Sequence, residues 1–175
     1  MGPRRNVQQL LSILDQAYDH RSWHGTNLRG SIRRVSLRQA AWRPAPGRHN
    51  IWEIVVHAAY WKYAVWRRLA RRPRGAFPLK GSNWFRRPPE MSDAPSKAAS
   101  EAAWRADLAL LEDMHRSLRE AASRLPVGAL TRKFKGSRES RFSLLSGAAA
   151  HDLYHAGQIQ LLKKLSTHAP AAGRN

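Results

Sequence analysis

The stretch "GAAAHDLYHAGQIQLLKK", residues 147–164, is the key to the fold. At about 100° per residue, Leu144, Ala148, His151, His155, Gln158, Ile159 and Leu162 fall on one helical stripe, and Leu165 extends it. A stripe of that kind faces a core. Two histidines and a glutamine stand on it where leucines are expected, and burying each without a partner costs on the order of 1–3 kcal/mol. The histidines are four residues apart, so both rings lean to the same side, one turn from each other. That spacing lets two nitrogens of one helix share a metal ion. The alternative is an ordinary core role, with each ring bonded to a backbone carbonyl. The metal reading requires a third ligand from another part of the chain.

Composition bounds the answer. A chain of 175 residues, 42% hydrophobic, is expected to form a single soluble domain over residues 1–175 with a real core. No apolar run approaches the roughly 20 residues that span a bilayer. The opening "MGPRRNVQQLLSILDQAY" is basic, but Gln8, Gln9, Ser12 and Asp15 break its apolar part, so it makes a poor signal peptide and a cytoplasmic home is expected. There is no cysteine, which excludes a disulfide framework, a thiolate metal site and a cysteine nucleophile. Any thiol chemistry would use an external thiol. The charge is extreme: 31 Lys+Arg against 12 Asp+Glu, a formal +19. Such a field attracts nucleic acid, acidic surfaces or anionic substrates. Its densest cluster, "WRRLARRPRG" with Arg67, Arg68, Arg71, Arg72 and Arg74, sits at a helix end, where cations suit the helix dipole. The remaining arginines are scattered, and no zinc-finger, basic-zipper or RNP motif accompanies them, so a solvated basic surface is favoured over a nucleic-acid interface. The cluster is expected to be solvent-exposed and remote from any metal site.

Periodicity predicts four helical blocks and no strand. The first runs from about Asn6 to Val35, with Gly25 and Gly30 as weak points, and ends in the loop "WRPAPGRHN". The second opens on a capping box, Asn50 with Glu53, and runs to Pro73. A long irregular piece, 73–95, leads to the third, from near Ser96 to Leu125, and the fourth runs from Phe142 to about Leu165, with a frayed tail over 166–175. A helix of 22 residues is roughly 33 Å long, and a linker of similar residue count retraces it. Helices two and three are therefore expected to be parallel, which makes an all-α four-helix bundle with a long crossover between helices 2 and 3.

The second helix offers the missing ligand. His57 lies at the edge of the stripe formed by Ile54, Ala58, Trp61 and Val65, one turn from Glu53. His57, His151 and His155 can converge if helices two and four both face the bundle axis, with ring nitrogens about 3–4 Å apart and metal bonds of about 2.0–2.1 Å. Three nitrogens leave open positions, as catalytic sites require. His24 shares a face with Ala17 and Leu28 and is a candidate for lining the site or supporting a ligand, as are Glu53, Trp61, Tyr154 and Gln158. His49 in its loop, His115 among charges and His168 in the tail carry less signal. Asp152 points about 100° away from His151, and the HxxxH lacks a zincin glutamate, so a peptidase is disfavoured.

"NIWEIVVHAAYWKY" and "AAAHDLYHAGQIQLLKK", preceded by "SWHGTNLRGSI" and "AAWRPAPGRHN", resemble the DinB-like superfamily, the damage-inducible group related to the YfiT proteins and the thiol-dependent transferases. The resemblance covers nearly the whole chain. It implies an up-down-down-up bundle, often a homodimer, and a divalent metal, usually zinc or nickel, held by His57, His151 and His155. It fixes activity poorly: some branches transfer bacillithiol, mycothiol or glutathione or isomerise with thiol help, and others are metal-dependent hydrolases. Three readings stay open. The first is a metal-dependent thiol transferase or hydrolase acting on small molecules in stress or detoxification. The second is a metal-binding stress protein without catalysis, and the third is a basic nucleic-acid-associated protein.

Overall fold

The computed structural model describes residues 3–75, 77–88, 96–126, 128–134 and 136–168. They form helices α1 (Pro3–Tyr18), α2 (Leu28–Ile32), α3 (Leu37–Ala41), α4 (Ile51–Leu69), α5 (Lys97–Ser123) and α6 (Arg141–His168). Among the described residues there is no strand, only an isolated antiparallel bridge between Lys133 and Ser140. Among the described residues, no helix is long and apolar enough to cross a membrane.

The first expected helix is in fact two, α1 and α2, and a further short helix, α3, follows its expected end. From Leu10 to Tyr18, Leu10, Leu11, Leu14, Ala17 and Tyr18 recur at helical spacing and are buried, but residues 19–26 supply none that reaches the core. With nothing to bury, the segment leaves the helix. Asn27 then caps α2, its side chain accepting from the Gly30 N–H at 2.8 Å. Ser36 and Gln39 form a reciprocal capping box that starts α3. Side chains that satisfy orphan backbone donors thus set these boundaries. The fourth block continues as helix to His168, past the expected fraying point at 166, and residues 169–175 of the expected tail lie outside the described residues.

Pairings between the long helices give their relative sense. Trp52 donates to Asp107 at 2.7 Å and Lys62 reaches His115 at 3.3 Å, so α4 and α5 advance in the same direction. Asp15 pairs with Arg119 at 2.7 Å while Tyr18 stacks on His115, so α1 opposes α5. His57 meets His151 and His155, whereas Lys62 pairs with Asp152, and the lower turns of α4 share a cleft with Ser143 and Leu144, so α6 opposes α4. The long connection carries more than its length. Phe85 is buried, and Phe77, Leu79 and Trp84 pack against the cluster built on Trp52, Val55, Val56 and Ile159.

One cluster of four polar groups, Lys62, Asp152, His115 and Tyr18, lies deep between the helices. Lys62 and Asp152, each with a side chain 1% exposed, form an ion pair. Lys62 also contacts the Nδ1 of His115, whose ring stacks on Tyr18 at 3.7 Å. Burial, reinforced by Lys62, pushes the His115 pKa down to about 2, so the ring is neutral and its Nδ1 accepts from the ammonium.

Candidate metal centre

α4 contributes His57 and α6 contributes His151 and His155, one turn apart on the side that faces α4. The Nε2 atoms of His57 and His151 are 3.1 Å apart, and those of His155 and His151 are 3.0 Å apart. One ligand atom from each of the three rings lies within 4.8 Å of the others. At metal–nitrogen bonds of about 2.0–2.1 Å, neighbouring ligands are roughly 2.9 Å apart in an octahedral sphere and roughly 3.3–3.4 Å apart in a tetrahedral one. The observed spacings fall between these values. The group can hold a divalent metal ion.

The tautomers suit that role. The Nδ1–H of His57 donates to the carbonyl of Asn83 at 2.8 Å, and the Nδ1–H of His155 donates to Gln158 Oε1 at 2.7 Å. Both leave Nε2 turned to the shared point, the arrangement by which metal-ligating histidines are oriented. Burial lowers all three pKa values, to about 3 for His151 and about 4 for His155. The rings are therefore neutral and ready as ligands.

The aromatic wall around His57 comes from the long connection. Trp84 stacks on His57 at 3.8 Å and on His49 at 3.6 Å. Asn83, at φ 65°, gives its carbonyl to His57 and its side-chain oxygen to Trp61 Nε1 at 2.9 Å. Neither Asn83 nor Trp84 was signalled by the sequence, because both act from an irregular segment without periodicity.

The remaining candidates separate. Gln158 orients His155. Trp61, with its ring 6.3 Å from those of His57 and His151, and Tyr154, 5.1 Å from that of His155, stand at the rim. His24 is exposed in the 19–27 segment and, among the described residues, belongs to no metal-ligating cluster, since the segment turns away from the core after Tyr18. Glu53 does not reach the three rings. Desolvation pushes its carboxyl up, but hydrogen bonds from Arg43, His49 and the Arg87 N–H together hold it below the usual range. Its side chain does not close the expected capping box either: Asn50 accepts from the Glu53 N–H at 2.8 Å, and the carboxylate turns to the cations instead. Among the described residues, Glu53 connects to the site through the chain His49, Trp84, His57.

Matching against family models places residues 20–159 in the DinB superfamily. The chain belongs to this superfamily. Its members are commonly metal-dependent, in keeping with the histidine group between α4 and α6. No curated protein and no solved structure gives a significant match.

Two clefts flank the bundle differently. The larger, about 1200 Å³, is bounded by the 19–35 segment, α5 and α6, and none of the three histidines lines it. The smaller, about 160 Å³, lies between α4 and α6 and ends on His151. Arg71, Arg72 and Arg74 are exposed as expected of the basic cluster, but Arg67 and Arg68 are half-buried and Arg68 lines this smaller cleft, against the expectation that the cluster lies away from the site.

Proposed function

We propose that this DinB-superfamily chain is a metal-dependent enzyme that uses a low-molecular-weight thiol to transform a small molecule, with zinc or nickel held by His57, His151 and His155. The observation that carries the reading is the composition of the cluster: three imidazole nitrogens with no fourth histidine, aspartate or glutamate beside them among the described residues. Three protein ligands and open positions are the mark of catalytic rather than structural sites. Such an ion supplies Lewis acidity, which lowers the pKa of a thiol or water placed in an open position.

The choice of thiol transfer over hydrolysis rests on the neighbouring carboxylates. Asp152 is committed to Lys62, and Glu53 to Arg43 and His49. Neither joins the histidine group, so neither is placed to serve as a general base for water there. The absence of cysteine also leaves no internal thiol to compete for the ion. Gln158 and Asn83 hold the rings, Trp84 excludes water from one face of His57, and Trp61 and Tyr154 border the entrance. The test is a panel of small thiols with a generic electrophile, assayed with protein loaded in turn with zinc and nickel. Thiol-dependent turnover that vanishes on chelation is expected. Turnover of esters or amides without thiol would assign a hydrolase, and metal binding with neither activity would assign a non-catalytic role.

The depressed histidine pKa values set a pH dependence. Protons compete for the three nitrogens only when the folded site can take them up, which for His155 means near pH 4 rather than near the ordinary 6.5. Metal is therefore expected to stay bound as pH falls through 6.5 and to be released toward about pH 4. Metal-free protein behaves differently. Between those two values the unfolded chain binds protons that the native histidines refuse, so stability falls as pH drops below about 6.5. Metal content after dialysis and melting temperature, each measured from pH 7.5 to 4, check both halves. Release centred at 6.5 would show that the rings are solvated.

A further inference from the structure

The small cleft beside His151 has the properties of a built subsite, and nothing above assigns it a ligand. Its walls are Trp61 and Val65 of α4 and Leu144 and Ala148 of α6, with His151 at one end and Arg68 at the other. Because α4 and α6 run in opposite senses, Trp61 to Arg68 and His151 to Leu144 cover the same span, seven residues or roughly 10 Å. A long side chain on a helix leans back over the preceding turn, which carries the Arg68 guanidinium toward Val65 and over the cleft. Among the described residues that guanidinium has no hydrogen bond or ion pair, although acidic partners engage Arg29, Arg43, Arg87, Arg116, Arg119 and Arg124. Beneath the floor the Lys62–Asp152 pair leaves one carboxylate oxygen, Asp152 Oδ1, without a partner among the described residues. A buried acceptor of this kind is costly unless something donates to it.

We propose that this cleft is the substrate subsite and that it takes a carboxylic acid with an apolar body about the size of a benzene ring, the carboxylate on Arg68 and the reacting end toward His151. The volume of about 160 Å³ is close to the roughly 150 Å³ of an apolar cavity known to accept benzene. The guanidinium fork matches a carboxylate in geometry as well as charge. The neighbouring Arg67, Arg71 and Arg72 add to the positive potential at that end and draw an anion to it. The inference rests on the metal reading only for the chemistry at the His151 end, since the carboxylate end uses no metal.

The test uses 3-phenylpropanoate and its neutral amide as probes, with binding measured by titration calorimetry on full-length protein stripped of metal by chelator. The acid is expected to bind at least about tenfold more tightly than the amide, the ratio expected when a charge-assisted hydrogen bond is lost. Arg68→Ala should erase that preference, and Arg68→Lys should restore part of it, because an ammonium keeps the charge without the fork. Gly147→Leu should abolish binding of both probes. Gly147 lines the cleft, a Cβ there meets no atom within 4 Å, and replacing a mid-helix glycine favours the helix, so circular dichroism should show an intact fold. Absence of binding, equal affinity for acid and amide, indifference to Arg68→Ala, or binding that survives Gly147→Leu would each overturn the proposal. So would binding seen only after zinc loading, which would place the carboxylate on the metal. Because the titration needs no metal, it can succeed where the thiol-transfer reading fails, and the reverse holds too.

Discussion

His155→Ala is expected to strip the protein of its metal and of any metal-dependent turnover while leaving it helical. The variant keeps two nitrogens 3.1 Å apart, those of His57 and His151, and loses the third, which Gln158 holds in place. Losing an orienting partner alone costs roughly 10–100-fold in metal affinity, and losing a ligand should cost more. The fold has other supports: Leu14, Leu118 and Leu145 are fully buried at one end, and Trp52, Val55 and Ile159 at the other. The stability difference is expected to show only with metal present. At metal one hundred times above its Kd the wild type gains about 2.7 kcal/mol, or roughly 5–11 °C in a chain of this size, and the variant gains nothing. Bound metal, far-ultraviolet circular dichroism and melting curves with and without zinc check this on one preparation. A variant that unfolds would make the centre structural, and one that keeps its metal would remove His155 from the ligand set.

Lys62→Ala is expected to be the most destabilising single change outside the centre. Lys62 and Asp152 are each 1% exposed, and Asp152 already has one unpaired oxygen. Removing the ammonium leaves a carboxylate buried with no cation and takes from His115 the donor at its Nδ1. Breaking a buried pair by deleting one partner costs about 3–5 kcal/mol, a large share of the about 5–15 kcal/mol that holds a domain together. The melting temperature should fall by roughly 6–20 °C. Replacing both partners by apolar residues, Lys62→Met with Asp152→Leu, should recover much of the loss, because no charge then stays buried alone. Chemical denaturation of the two variants beside the wild type decides it. A fall of less than about 2 °C in Lys62→Ala would mean that the pair is hydrated in solution.

The helices that carry the centre were legible from residue spacing, since His151 and His155 four apart on an apolar stripe need no tertiary information to share a face. So was the cap at Asn50, which accepts a backbone N–H three residues on. What misled was the stretch after Tyr18. Leu28 and Ile32 continue the apolar period of α1 and are buried, but the turns between them and Tyr18 have nothing to bury, and the capping groups of Asn27 and Ser36 claim backbone donors that a continuous helix would have used. A periodic pattern records which residues are buried and carries no record of a break in the chain between them.

The roles of the other polar residues depended on contacts across the bundle. Sequence placed Glu53 one turn from His57, yet Arg43 and the backbone of Arg87 draw it away from the centre. It gave His49 and His115 little weight, and they are stacked on Trp84 and Tyr18. Asp152 was correctly read as turned away from His151, but its partner Lys62 is 90 residues distant, beyond the reach of any local pattern. The same holds for Asn83 and Trp84, which order His57 from an irregular segment. Local spacing sets which side chains share a helix face, because helix geometry repeats every turn. Which charge meets which, and which ring turns its Nε2 toward the centre, follows from packing between segments far apart in the chain, where a buried polar group settles on whatever partner the fold brings within hydrogen-bond reach.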